Sequence, residues 1–276
     1  MASSSRIRAS LIQVNAGNKI EDNLKRLEFF LRKAFSVEPN FVALPENFAW
    51  RGPSEDLPEV ASHSPAIIEK LKRIAKKENV AILLGSLIER SSVRCKFYNT
   101  SYWISGKGII SAKYRKIHLF DVSLQGRFRV RESDHILPGT KTVTLQAGNV
   151  TAGLSVCYDV RFPELYRDLS SKGSKILFVP SNFTHETGKA HWDVLLRARA
   201  IENLCFVVAP GQVGRHPENG IRSYGRSLIL DPWGRKLAEG SSEKEGVLWA
   251  DLDLTWQAAL RREFPVLKHR RLGQTA

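Results

Sequence analysis

The order of periodic segments along this 276-residue chain predicts a layered α/β domain with mixed sheets. Strand-like apolar runs alternate with helix-period segments at first, and hairpin signals are interleaved among them. The interior holds no Pro/Gly/Ser linker, internal repeat or low-complexity block, which favours a single domain over the two that the length would permit. With 42% hydrophobic and 25% charged residues, the composition is that of an ordinary globular protein.

Taken in order, "IRASLIQV" (7–14) alternates and predicts a strand. A helix follows over 19–36, with Leu24, Leu27, Leu31 and Ala34 on one face. "FVALP" (41–45) is a buried strand, and Ile67, Ile68, Leu71, Ile74 and Ala75 predict a helix over 65–78. "VAILLGS" is the next strand; "YNTSYWIS" and "IISAKYRKI" flank the turn-forming "GKG" as a hairpin. Residues 120–140 are polar, irregular and too long for a simple connection, so a functional loop is expected there. "KTVTLQ" and "TAGLSVC" straddle a turn at "AGN". A helix opens at Pro163, "ILFVPS" is a strand, and a helix spans 188–203. "FVVAPG", "SLILDPWG" and "EGVLWADLDL" supply the last strands.

Several classes are set aside by composition. No run approaches the ~20 consecutive apolar residues of a membrane helix, and the N-terminal segment lacks a signal core, so a cytoplasmic protein is expected. Cys95, Cys157 and Cys205 are odd in number and lack CxxC spacing, which suits reduced thiols. The sequons at Asn99, Asn149 and Asn182 are then chance triplets. The formal charge of +14 is dispersed, with a denser patch at "LKHRR", and no zinc-finger or RNP pattern accompanies it. An acidic substrate or plain solubility explains it better than nucleic-acid binding.

In such sheets, reactive groups gather where strands end. Glu46 follows "FVALP", Lys116 ends "IISAKYRK" and Cys157 ends "TAGLSVC". A carboxylate, an ammonium and a thiol form a set able to cleave an acyl–nitrogen bond. A thiol of ordinary pKa about 8.5 needs a base, which Glu46 in a dry pocket supplies. The oxyanion needs donors, which Lys116 and the backbone N–H of Tyr158 supply. Taken singly, each residue has a blander reading: a small core thiol (accepted for Cys95 and Cys205), a turn cap or a surface charge.

The segments "ALPENF", "YRKIHLFD", "VCYDVRFPELYR", "GKAHWDVLLRARAIEN" and "YGRSLILDPWG" resemble the nitrilase superfamily of carbon–nitrogen hydrolases, in its nitrilase-like amidase branch. The likeness runs from about Arg8 to Asp253. It implies a four-layer αββα sandwich over residues 6–255, and a tail over 256–276 packing at a homodimer or higher homo-oligomer interface. It also implies catalytic Glu46, Lys116 and Cys157, and matches Glu132 of "RVRESDH" to a second glutamate that orients the lysine; a loop salt bridge with Arg129 or Arg131 is the other reading of Glu132. No metal or organic cofactor is implied, and the seven histidines show no ligand spacing.

Tyr158, Arg161, Phe183, Thr184 and His191 are the substrate-binding positions that the resemblance implies. Their motifs look most like amidases acting on deaminated glutathione, an anionic keto amide; ω-amidase action on α-ketoglutaramate or α-ketosuccinamate is the alternative, and a basic binding protein on the same scaffold is the non-enzymatic one. Arg161, Arg215, Arg222, Arg127 and Arg129 are available for carboxylates. Arg161 equally suits a buttress for the nucleophile loop. "YGRS" departs from the branch by carrying Arg226 in place of histidine, and the loop "LQGRFRVRESDH" is unusually basic.

Overall fold

The structure, a computed structural model, describes residues 6–124 and 128–272. Strand β1 (Arg6–Gln13) leads into helix α1 (Ile20–Phe35), β2 (Phe41–Ala43), α2 (Leu57–Glu78), β3 (Ala81–Arg90), β4 (Phe97–Ile104) and β5 (Ile110–Arg115). A short ribbon, β6 (Asp121–Leu124) and β7 (Phe128–Arg131), separates these from the second half. There follow β8 (Thr144–Ala147), β9 (Val150–Leu154), α3 (Pro163–Ser171), β10 (Ile176–Phe178), α4 (His185–Asn203), β11 (Phe206–Ala209), β12 (Leu228–Leu230), β13 (Lys236–Glu239), β14 (Gly246–Asp253) and α5 (Leu254–Glu263).

Two six-stranded mixed sheets result, ordered β14-β1-β2-β3-β4-β5 and β13-β12-β11-β10-β9-β8. The strands that run without alternation are those buried on both faces. Along β2 and β3, Phe41, Ala43 and Leu83 face the other sheet, whereas Val42, Ile82 and Leu84 face α1 and α2. Phe41, Trp103 and Phe178 meet across the sheet interface at centroid distances of 5.1–5.7 Å. Such pairs add about 0.5–1.5 kcal/mol each beyond their burial. Leu165, Leu169, Trp192 and Leu196 of α3 and α4 cover the second sheet, which completes the α/β four-layer αββα order. Strand β14 returns to pair antiparallel with β1, Arg6 opposite Asp253, so the two ends of the domain share one sheet.

Four elements differ from the sequence expectation. Helix α2 starts at Leu57, and Pro65 lies inside it. The lost N–H bond is offset because Leu57, Val60 and Ala61 bury against Trp50, Ile88 and Phe97, while Ser64 Oγ donates to the Ile88 carbonyl at 2.6 Å. Strand β13 and the β6–β7 ribbon form where the sequence expectation has no strand. Helix α5 begins at an Asp253 cap whose Oδ1 accepts the Trp256 N–H at 2.9 Å. The anticipated domain end at 255 falls within this helix. Gln257 and Arg261 of α5 donate to the carbonyls of Lys175, Leu204 and Ser174 on the second half of the same chain.

Gly85 interrupts β3 at a register shift between Leu84 and Leu87. A Cβ there would stand 2.1 Å from the Leu44 carbonyl oxygen and 2.3 Å from Pro45. Only a glycine lets the chain leaving β2 lie against β3 at this point. Gly85→Ala is expected to lower stability by roughly 1–3 kcal/mol through overpacking, and to displace the residue after Pro45. Denaturant midpoints measured beside activity check this, and an unchanged midpoint would contradict it.

Candidate active site

Glu46, Lys116, Glu132 and Cys157 converge on one cavity of about 210 Å³, also lined by Asn47, Phe120, Val130, Tyr158, Asn182, Phe183, Thr184 and Thr187. Each arrives from a different place in the chain. Leu44 N–H donates to the Leu83 carbonyl at 2.9 Å, and beyond it Pro45 turns Glu46 inward, where it is 3% exposed. Lys116 follows β5, pinned on both sides: its N–H donates to the Asn99 carbonyl at 2.9 Å and its carbonyl accepts the Gly139 N–H at 2.7 Å. Glu132 opens the 3-10 turn after β7. Cys157 lies three residues past the end of β9, at the start of a 3-10 turn (Cys157–Arg161), with a left-handed φ of 48°. That conformation strains a side-chain-bearing residue by about 1–3 kcal/mol, so its surroundings must hold it; the Cys157 N–H donates to the Pro180 carbonyl at 2.9 Å.

The charged groups form a closed network. Lys116 Nζ donates to Glu46 Oε1 at 3.0 Å and to the two Glu132 oxygens at 3.1 and 2.8 Å. Asn99 Nδ2 bridges the same carboxylates, at 2.9 Å to Glu46 and 3.2 Å to Glu132. The Asn182 N–H donates to Glu46 Oε2 at 2.8 Å and the Phe120 N–H to Glu132 Oε2 at 2.7 Å. Burial works against the Lys116 ammonium, but Glu132 and Glu46 outweigh it and hold the group charged well above its usual range. Cys157 goes the other way. Burial first, and then the Glu46 carboxylate hydrogen-bonded to it, push the thiol well above its ordinary pKa, with Lys116 opposing. One ammonium and two carboxylates leave no surplus positive charge to stabilise a resting thiolate. The Glu46 carboxylate beside the protonated sulfur is the nearest group able to accept its proton.

Behind Glu46 lies a buried cation, Arg51. Its Nη1 donates to Ser223 Oγ at 2.7 Å and to Asn182 Oδ1 at 3.4 Å, and Ser223 Oγ donates to Asn182 Oδ1 at 2.7 Å. Burial pulls the guanidinium down to about 10. These contacts hold Asn182, and with it the N–H that meets Glu46.

Tyr158, Phe183 and Thr184 line the cavity; Arg161 and His191 do not. Arg161 is half-buried, its Nη1 3.2 Å from His191 Nδ1, and its guanidinium covers the Tyr158 and Phe183 rings at 5.5 and 5.2 Å. Glu132 does not pair with Arg131, which instead meets Asp134 at 3.5 Å. Arg129 is exposed. Arg215 and Arg222 line a separate, open cavity of about 620 Å³ that shares Thr184 with the first; Arg222 is paired with Glu243 at 2.9 Å. Arg226 pairs with Glu239 and stays outside both. Arg127 lies outside the described residues. Cys95 is exposed, and Cys205 is buried among the Ser174 and Asn203 carbonyls and Arg261. Among the described residues, no group of three or more His, Cys, Asp or Glu is placed to hold a metal ion. None of their helices is long and apolar enough to cross a membrane.

Asn99, Asn182 and Phe120 escape sequence reasoning. Asn99 had a signal: it opens a run of three polar residues, Asn99 to Ser101, within an otherwise apolar strand, and all three are buried. A buried polar run in a strand needs internal partners. Asn182 and Phe120 act through backbone N–H groups, which no residue type announces.

Residues 8–262 match the carbon–nitrogen hydrolase family model. A deaminated glutathione amidase of Dictyostelium discoideum is 37% identical over 275 residues, covering 96% of this chain and 94% of that protein. The Caenorhabditis elegans NitFhit structure superimposes with a TM-score of 0.89 at 36% identity, over 96% of this chain and 65% of that longer one. A mutant of an amidase from Nesterenkonia sp. AN1, solved with acrylamide added at its active-site cysteine, aligns with a TM-score of 0.78 at 26% identity, over 94% of this chain and 99% of that one. The protein thus belongs to the carbon–nitrogen hydrolase family of the nitrilase superfamily, and it is a hydrolase of non-peptide carbon–nitrogen bonds in amides.

Proposed function

We propose that the protein is a cysteine-dependent amidase working through a thioester, with Cys157 as nucleophile, Glu46 as general base and acid, and Lys116 as oxyanion stabiliser. Glu132 orients the lysine. The observation that carries this reading is the convergence of a thiol, a carboxylate and an ammonium from three strand ends on one small cavity.

Sγ bonds to the amide carbon while its proton passes to Glu46. The carbonyl oxygen becomes an oxyanion beside Lys116 and the Tyr158 N–H, a donor arrangement worth about 3–4 kcal/mol per donor in comparable sites. As the tetrahedral species collapses, the carbon–nitrogen bond breaks and Glu46 returns the proton to the leaving nitrogen. Water then attacks the thioester, giving one proton to Glu46; the carbon–sulfur bond breaks and the thiol is restored. General acid–base help of this kind contributes about 10²–10⁴-fold.

The relatives' name suggests deaminated glutathione as substrate. The narrowness of the inner cavity suits a short acyl group, while the adjoining open cavity with Arg215 and Arg222 would face a longer, anionic remainder. The same narrowness favours, as second reading, an ω-amidase acting on α-ketoglutaramate or α-ketosuccinamate. A homodimer is proposed through the face carrying exposed Ile201, Trp233 and Phe264, where the two rings pack edge to face at 5.8 Å. Free thiols suit a cytoplasmic site.

Cys157→Ala should lose turnover by about 10³-fold or more while folding normally; Cys205→Ala should keep most of it. Reversal of those two results would mean that the wrong sulfur is named. In Glu46→Gln, the charge that disfavours the thiolate is gone while Lys116 remains. Its Cys157 should ionise at lower pH than in the wild type, followed by thiolate absorbance, although turnover falls for want of a base. An upward shift would refute the assigned coupling. Comparing kcat/KM for deaminated glutathione, α-ketoglutaramate and neutral aliphatic amides tests the substrate class, and equal values across the panel would discard the anionic preference.

A further inference from the structure

One buried carboxylate joins the two segments that carry Lys116 and Cys157. Asp159 is wholly buried, two residues past the cysteine. Its Oδ2 accepts the Val156 N–H at 2.8 Å and the Tyr114 hydroxyl at 2.7 Å. Its Oδ1 accepts the His118 N–H at 3.0 Å and lies 2.7 Å from His118 Nδ1, which donates in the tautomer carrying hydrogen there. Val156 immediately precedes the cysteine, whereas Tyr114 and His118 stand two residues on either side of Lys116. The His118 ring also stacks on Phe162, with centroids 3.7 Å apart and planes 7° from parallel.

Capping the turn would need only the Val156 contact. Three of the four hydrogen bonds to Asp159 come instead from the lysine segment, and all four point donors at it. A carboxylate has acceptors on both oxygens; an amide in its place would turn an NH₂ group toward two of those donors. On the reading that Cys157 and Lys116 share the reaction, we propose that Asp159 is a positioning residue: it clamps the lysine segment to the nucleophile turn and sets the distance between ammonium and sulfur. The tether also secures a turn whose cysteine sits in a strained left-handed conformation.

The test compares Asp159→Asn, Tyr114→Phe and His118→Phe with the wild type, each checked for fold by circular dichroism and melting. His118→Phe keeps a ring for Phe162 but removes the side-chain donor. Two readouts distinguish positioning from mere stability: the split between kcat and KM, and the Cys157 titration, followed by thiolate absorbance and by iodoacetamide alkylation. An ångström-scale displacement of Lys116 should cut kcat about 10- to 100-fold with KM nearly constant. The thiol should ionise at higher pH, because the cation that favours the thiolate has receded.

If Asp159→Asn fails to fold, Tyr114→Phe and His118→Phe decide, since both leave the carboxylate and its turn cap in place. Wild-type kcat together with an unshifted thiol in the folded variants would overturn the clamp. That result is separable from failure of the catalytic reading, which would show as activity surviving in Cys157→Ala.

Discussion

A lysine ammonium held between two carboxylates, out of contact with water, is the constraint around which this molecule is organised. Stripping charges of their hydration costs several kcal/mol per ion, and mutual attraction repays it only where geometry is good and the remaining lone pairs are filled. Here they are filled by Asn99, by the Asn182 and Phe120 N–H groups and by the buried thiol. Each donor comes from a separate element, so the ionic network is stable only when both sheets and the β6–β7 ribbon are in place. The cavity is therefore a product of the complete fold and of no local motif.

The same charge arithmetic shapes the chemistry. A site with two carboxylates and one ammonium does not favour a free thiolate, and the raised thiol follows from burial and from Glu46 together. In the proposed mechanism this favours concerted proton transfer over a preformed anion, the carboxylate that disfavours the thiolate being also the one assigned to take the proton. In the same proposed mechanism Lys116 would gain interaction energy as negative charge moves onto the substrate oxygen, so its contribution would grow as the reaction proceeds.

Rigidity comes from the interleaving of two sheets whose inner faces share aromatic packing through Phe41, Trp103 and Phe178. Phe41 lies five residues before Glu46, and Phe178 four residues before the Asn182 N–H that binds it. Packing at the centre of the sandwich thus aligns the strand ends at its rim. The close passage of Leu44 and Pro45 over Gly85 extends that alignment to the last residue before the carboxylate.

Read alone, the chain disclosed its α/β class, most strands and the long helices, because apolar period and turn residues are local properties. It also disclosed Glu46, Lys116 and Cys157 as strand-end groups, since the segments around them are distinctive in residue type. Glu132 stood open between two readings, and the tertiary structure places it on Lys116, away from Arg131. Helix α5 and the upstream turns of α2 were illegible for a shared reason: partners distant in sequence stabilise them. Asn182, Arg51 and Asp159 were hidden for the same cause. A buried hydrogen bond is a statement about two places at once, and a sequence lists only one at a time.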